Sequence, residues 1–135
     1  MKHMDFALQV LRPDLDARAV SVTEQWAQFA VAGPKARDLL AGLLGTVPDL
    51  PFMGYAAVRV GGVDARLFRI SFSGEMGFEI AVPARFGAAL FDLLVARAEA
   101  LGGGAYGMEA LNVLRIEKGF ITHAEIHGRG TAFDI

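Results

Sequence analysis

Two alternating runs, YAAVRV (55–60) and VDARLFRISF (63–72), are separated only by Gly61-Gly62, and this pair constrains the fold more than any other stretch. Side chains on a strand alternate between faces, and adjacent glycines tolerate the positive φ of a tight hairpin turn. The chain turns again at Ser73-Gly74-Glu75-Met76-Gly77 and enters FEIAV (78–82). Residues 55–82 therefore predict three strands in an antiparallel meander. On this period Phe68, Ile70 and Phe72 share one face with Phe78, Ile80 and Val82, with Phe72 opposite Phe78. Leu67, Arg69, Ser71, Glu79 and Ala81 then lie on the second face. A carboxylate amid so apolar a strand needs a reason, because buried acids are seldom unpaired. Two readings stay open. Glu79 pairs with Arg69 or is solvated on an open face, or it is a ligand hook. A carboxylate accepts two N–H bonds side by side from a planar amino-heterocycle, and such charge-assisted pairs are strong and orienting.

The flanking segments supply helices. Residues 26–32 read as a strand. Pro34 suits the first turn of a helix over 34–44, with Ala36, Leu39, Leu40, Leu43 and Leu44 as its apolar stripe and Gly45 as its stop. Pro83 opens a helix over 84–101, with Phe86, Leu90, Leu93, Leu94 and Leu101 inward, ended by Gly102-Gly103-Gly104. YGMEALNVLRIEKG predicts a third helix with Met108, Leu111 and Leu114 inward, and FITHAEIHGRGTAFDI starts like a strand. The expected fold is α+β, an antiparallel sheet of about four strands with helices on one face. Residues 1–16 are an N-terminal arm and 17–135 the domain. The sheet's second face is left for neighbours, so a homodimer through that face or an edge is expected.

Composition narrows the chemistry. The 135 residues are 53% hydrophobic and 21% charged, which suits one domain with a real core. A net charge of −2 gives no ground for nucleic acid, and no polybasic run suggests a membrane surface. No apolar run reaches the ~18 residues of a spanning helix. No signal peptide is recognisable, so a cytoplasmic protein is expected. There is no cysteine, which excludes disulfides and thiolate metal sites. His123 and His127 have a spacing that suits a metal only on a helix, and Gly119 and Gly128 argue against one there, so no metal site is expected. Ser73–Gly77 lacks the Gly-Lys-Ser/Thr ending of a phosphate loop. Arg115, Glu117 and Lys118 read as a helix-end cluster, and Trp26 as packing.

Three motifs, WAQFAVAGPKARDLL, RISFSGEMGFEIAVP and AYGMEALNVLRIEKGFITHAEI, occur in that order. Together they resemble the folate-binding aminomethyltransferase superfamily, which includes the glycine-cleavage T-protein, dimethylglycine and sarcosine dehydrogenases, and heterotetrameric sarcosine oxidase. The resemblance spans about residues 17–135. YGMEALNVLRIEKGFITHAEIHGR is most similar to the α-subunit branch of the sarcosine oxidases. In this family the glutamate of Gly-Phe-Glu-Ile binds the pterin of tetrahydrofolate, which implies that role for Glu79. Phe72 and Arg115 are implied as further folate contacts. No catalytic residue is implied within these 135 residues.

Two positions depart from T-proteins. Phe72 stands where they usually carry Tyr, and Leu111-Asn112 where they carry Arg-Asp. Both departures fit the sarcosine oxidase branch. The resemblance implies an internal piece of a longer chain, inactive by itself, whose parent oxidises sarcosine and captures the one-carbon unit as methylenetetrahydrofolate. FAD, FMN and NAD of that parent are expected outside this segment, and no dinucleotide loop is expected here. The implied partners are the other sarcosine oxidase subunits. A non-catalytic ligand-binding or interaction module, or a T-protein fragment, are the alternatives.

Overall fold

A computed structural model describes residues 2–122. Most of the expected strand in FITHAEIHGRGTAFDI, from His123 on, and both His123 and His127 lie outside the described residues. At the N-terminus, α1 (Lys2–Phe6) passes into wider π-type turns at Ala7–Leu11.

The strands are β1 (Trp26–Ala32), β2 (Tyr55–Val60), β3 (Val63–Phe68) and β4 (Gly77–Pro83). They form one antiparallel sheet in the order β1-β4-β3-β2. The expected meander is present, and β1 adds to the outer side of β4. Gly61 and Gly62 both have positive φ, 54° and 86°, as the two-residue hairpin turn demands. The helices are α2 (Ala36–Leu44), α3 (Gly87–Ala100) and α4 (Met108–Lys118). Pro34 stands just outside α2. Gly45 ends that helix at φ 74°, donating to the Ala41 carbonyl at 2.8 Å. A 3₁₀ turn at Ala84–Phe86 leads into α3.

The core lies between one sheet face and helices α2 and α3. Leu67, Phe78, Ile80 and Val82 from the sheet meet Leu39 and Leu40 of α2 and Leu90 and Leu94 of α3, all buried. Phe29 stacks obliquely on Phe91 with ring centres 5.6 Å apart. These residues recur at period two on the strands and at helical spacing on the helices, so each element buries one stripe. Leu93 is about half exposed and Met108 mostly so, contrary to the inward positions expected for them, whereas Leu111 and Leu114 are half-buried. The expected inward stripe of α4 thus holds only in its middle turns.

The register of β3 on β4 differs from the expectation, and the difference exchanges faces. Phe68 pairs with Glu79, Leu67 with Ile80 and Arg66 with Ala81. Phe72 is not opposite Phe78. β3 stops at Phe68, and residues 69–76 form a loop. Its cause is local hydrogen bonding. The Arg69 guanidinium donates to the Gly77 carbonyl at 2.8 Å, and the Ser71 hydroxyl donates to the Glu75 carbonyl. A Cβ on Gly77 would stand 2.7 Å from the Ile70 carbonyl oxygen, so only glycine permits the close return of the chain. The residue opposite Glu79 is therefore three positions earlier than expected, Phe68 instead of Ser71. An odd displacement turns every side chain over. Leu67 enters the core, fully buried, and Phe68 joins Glu79 on the open face.

Candidate functional site

The open face is built by alternation. In β1 the residues opposite in phase to core-facing Phe29 and Val31 are Trp26, Gln28 and Ala30. In β4 they are Glu79 and Ala81, in β3 Arg66 and Phe68, and in β2 Tyr55 and Ala57. Glu79 is half-buried in the middle of β4, between Ala30 on one neighbouring strand and Phe68 on the other. Its side-chain partner is Gln28, whose Nε2 donates to Oε2 of the carboxylate across 51 residues of sequence. Arg69 is not that partner. It bonds the Gly77 carbonyl and lies over the Phe78 ring at 5.2 Å. Nor does Arg66 pair with Glu79; its guanidinium covers the indole of Trp26 at 3.7 Å. Among the described residues Glu79 forms no salt bridge, while four surface pairs form elsewhere. The reading of Glu79 as half of an Arg69 ion pair is thereby overturned.

Aromatic surface borders the acid. Tyr55 and Phe68 stack with ring centres 5.2 Å apart, and Trp26 lies further along the same face. A groove of about 640 Å³ follows the free edge of β1, and Gln28, Ala30, Phe91, Tyr106 and Leu111 contribute to its lining. Tyr106 is close enough to Glu79 to sense its charge. Burial first, and the Glu79 carboxylate second, push the Tyr106 phenol above the ordinary tyrosine value. This has a direct check. The chain has two tyrosines, so a Tyr55→Phe background isolates Tyr106. Its phenolate absorbance should appear at higher pH than for free tyrosine, and Glu79→Gln should move the midpoint down. An unmoved midpoint would show that the two groups do not interact.

Phe72 and Arg115 come together elsewhere, around Phe120. The rings of Phe72 and Phe120 meet edge-on at 5.8 Å, and Arg115 Nη1 donates to the Phe120 carbonyl at 3.0 Å. Arg115 is buried and also donates to Asn112 Oδ1 at 3.2 Å. Lys118 donates to the Ser71 carbonyl, tying the end of α4 to the loop over 69–76. Two residues beside Glu79, Gln28 and Tyr106, were missed by sequence reasoning. Gln28 carried one usable signal, its alternation with Phe29 and Val31, but nothing local aligns β1 with β4. Tyr106, an aromatic set between glycines, carried none.

The glycine spacing Gly102-x-Gly104-x-x-Gly107 matches the letters of a dinucleotide fingerprint. It joins α3 to α4, whereas the fingerprint requires a strand before the glycines, so the loop lacks the context that binds a pyrophosphate. Among the described residues no group of three or more His, Asp or Glu side chains could hold a metal ion. No helix among them is long and apolar enough to cross a membrane.

Across residues 1–135 the sequence matches the family described as GCVT N-terminal domain. It is 48% identical over 133 residues to the sarcosine oxidase subunit alpha of Rhizobium meliloti (strain 1021), covering 95% of this chain and 14% of that protein. The sarcosine oxidase subunit alpha of Corynebacterium sp. (strain U-96) is 43% identical over 119 residues, 84% of this chain and 12% of the relative. The aminomethyltransferase of Mycobacterium bovis (strain ATCC BAA-935 / AF2122/97) is 34% identical over 132 residues, 96% of this chain and 34% of the relative. The chain thus spans a small part of the sarcosine oxidase subunits and about a third of the aminomethyltransferase.

Proposed function

The chain belongs to the GCVT N-terminal domain family, and from that premise we propose that it forms one wall of a tetrahydrofolate site in a sarcosine oxidase alpha subunit. One observation carries the reading. Glu79 is a half-buried carboxylate with no cationic partner among the described residues, held in place by a neutral amide. A carboxylate so placed has acceptor capacity left for the paired N–H donors of an aminopyrimidinone ring. The residues present fit such a group: Tyr55 and Phe68, stacked on the same face, give a planar heterocycle apolar surface. Phe72 and Arg115 are assigned more distant contacts, through the cluster at Phe120.

When bound, tetrahydrofolate supplies the nucleophilic nitrogens that take up the one-carbon unit released from sarcosine as methylenetetrahydrofolate. This chain's residues bind and orient it. Sarcosine oxidation, with its FAD, FMN and NAD, is assigned to the rest of the parent subunit and its partners. The sarcosine oxidase branch is favoured over an aminomethyltransferase by identity, 48% against 34%, and by Leu111-Asn112. Trp26 is the single tryptophan and lies on the Glu79 face, so it serves as reporter. Titration with 5-formyltetrahydrofolate should change its fluorescence saturably. A flat trace, confirmed by calorimetry without heat of binding, would remove the proposal.

A further inference from the structure

The contact between Gln28 and Glu79 has a direction. An ionised carboxylate only accepts hydrogen bonds, so the Gln28 amide must turn its nitrogen toward Glu79 and its Oε1 away. Nε2 donates to Oε2 of Glu79. Among the described residues no donor is bonded to Gln28 Oε1, and Gln28 lines the groove that Tyr106 also borders. The pair therefore offers three side-chain acceptor oxygens, the two of Glu79 and, turned away from them, the amide oxygen of Gln28. A 2-amino-4-oxopyrimidine edge has three hydrogens to place: one on the ring nitrogen and two on the exocyclic amine. Glu79 takes the ring hydrogen and one amine hydrogen. The second amine hydrogen has no protein acceptor unless a further oxygen stands near the carboxylate.

We propose that Gln28 is the specificity-determining residue of this site, fixing the plane of Glu79 through Nε2 and accepting the second hydrogen of the ligand's exocyclic amine at Oε1. The assignment rests on the folate reading above and adds to it the group that distinguishes an amino-heterocycle from its desamino counterpart. A site built to hydrogen-bond a polar group rejects analogues lacking it far more strongly than an apolar pocket distinguishes shapes. Gln28 is exposed at a strand edge, so replacing it leaves the core untouched.

The test compares two ligands on the chain, 5-formyltetrahydrofolate and its 2-desamino-2-methyl analogue, by calorimetry with wild type and Gln28→Leu. Wild type should favour the amino compound strongly. Gln28→Leu should lose about tenfold in affinity for it, the scale of one hydrogen bond, and discriminate between the two ligands about tenfold less. Parallel losses for both ligands, or an unchanged ratio, would mean that Gln28 only supports the fold and would overturn the assignment. Equal binding of both ligands by wild type would overturn it as well. If wild type binds neither ligand, the folate reading itself fails and takes this assignment with it.

Discussion

Replacing Glu79 by alanine should weaken binding of a reduced folate by about 2–4 kcal/mol, roughly 30- to 1000-fold. The size follows from what is lost. A bidentate contact to a carboxylate is charge-assisted in both bonds, and its removal leaves two ligand N–H groups facing the methyl of alanine. The neighbours offer no substitute acceptor of the same charge. Gln28 is neutral, and Arg66, a cation with donors only, lies over Trp26. Glu79→Gln is the informative companion, because it keeps the shape and replaces one acceptor by a donor that opposes the ligand's own. Its loss should approach that of alanine. Calorimetric titration of the three proteins, with circular dichroism to confirm an unchanged fold, decides the matter. Equal affinity for wild type and Glu79→Ala would falsify the role given to this acid.

Leu67→Ala should cost about 2–5 kcal/mol of folding stability, the range for deleting buried leucine methyls and leaving a cavity. Leu67 is fully buried among residues of the sheet and the two covering helices. The alternation read from the sequence put it on the open face, where truncation would change stability by no more than about 0.5 kcal/mol. Phe68→Ala serves as the counterpart, since Phe68 is only half-buried and packs chiefly on Tyr55. Urea unfolding of the three proteins, read from midpoint and slope together, separates the two registers. A Leu67→Ala midpoint equal to wild type would sink the observed pairing.

The difference between those registers shows what local pattern can and cannot reveal. Gly61-Gly62 lies between two runs of matching period, so the hairpin was legible from its turn alone. Gly45 and the leucine stripe likewise fixed α2 within two residues. The return from β3 to β4 was not legible in that way. Its length depends on Arg69 reaching the Gly77 carbonyl and Ser71 reaching Glu75, bonds that no alternation encodes. Once the loop grew, the parity of the pairing changed, and Leu67 and Phe68 exchanged sides. Glu79 stood out in sequence because it interrupts an apolar strand, and its family resemblance gave it a role. Its partner did not stand out. Gln28 meets it only because β1 pairs with β4, a topological fact with no signature in either segment. The connection from α3 to α4, whose course glycines leave unspecified, brings Tyr106 near enough to feel the charge of the same acid.

The placement of β1 beside β4 ties recognition to the integrity of the sheet. One half of the Gln28–Glu79 pair belongs to a strand early in the chain and the other to the closing strand of the meander. Any opening of β1 from β4 separates them, although β2, β3 and β4 can stay joined. A ligand that needs both residues binds only while β1 is attached, and thermodynamic linkage makes the relation reciprocal. Whatever factor the attached strand contributes to affinity, the bound ligand returns to the attachment of the strand.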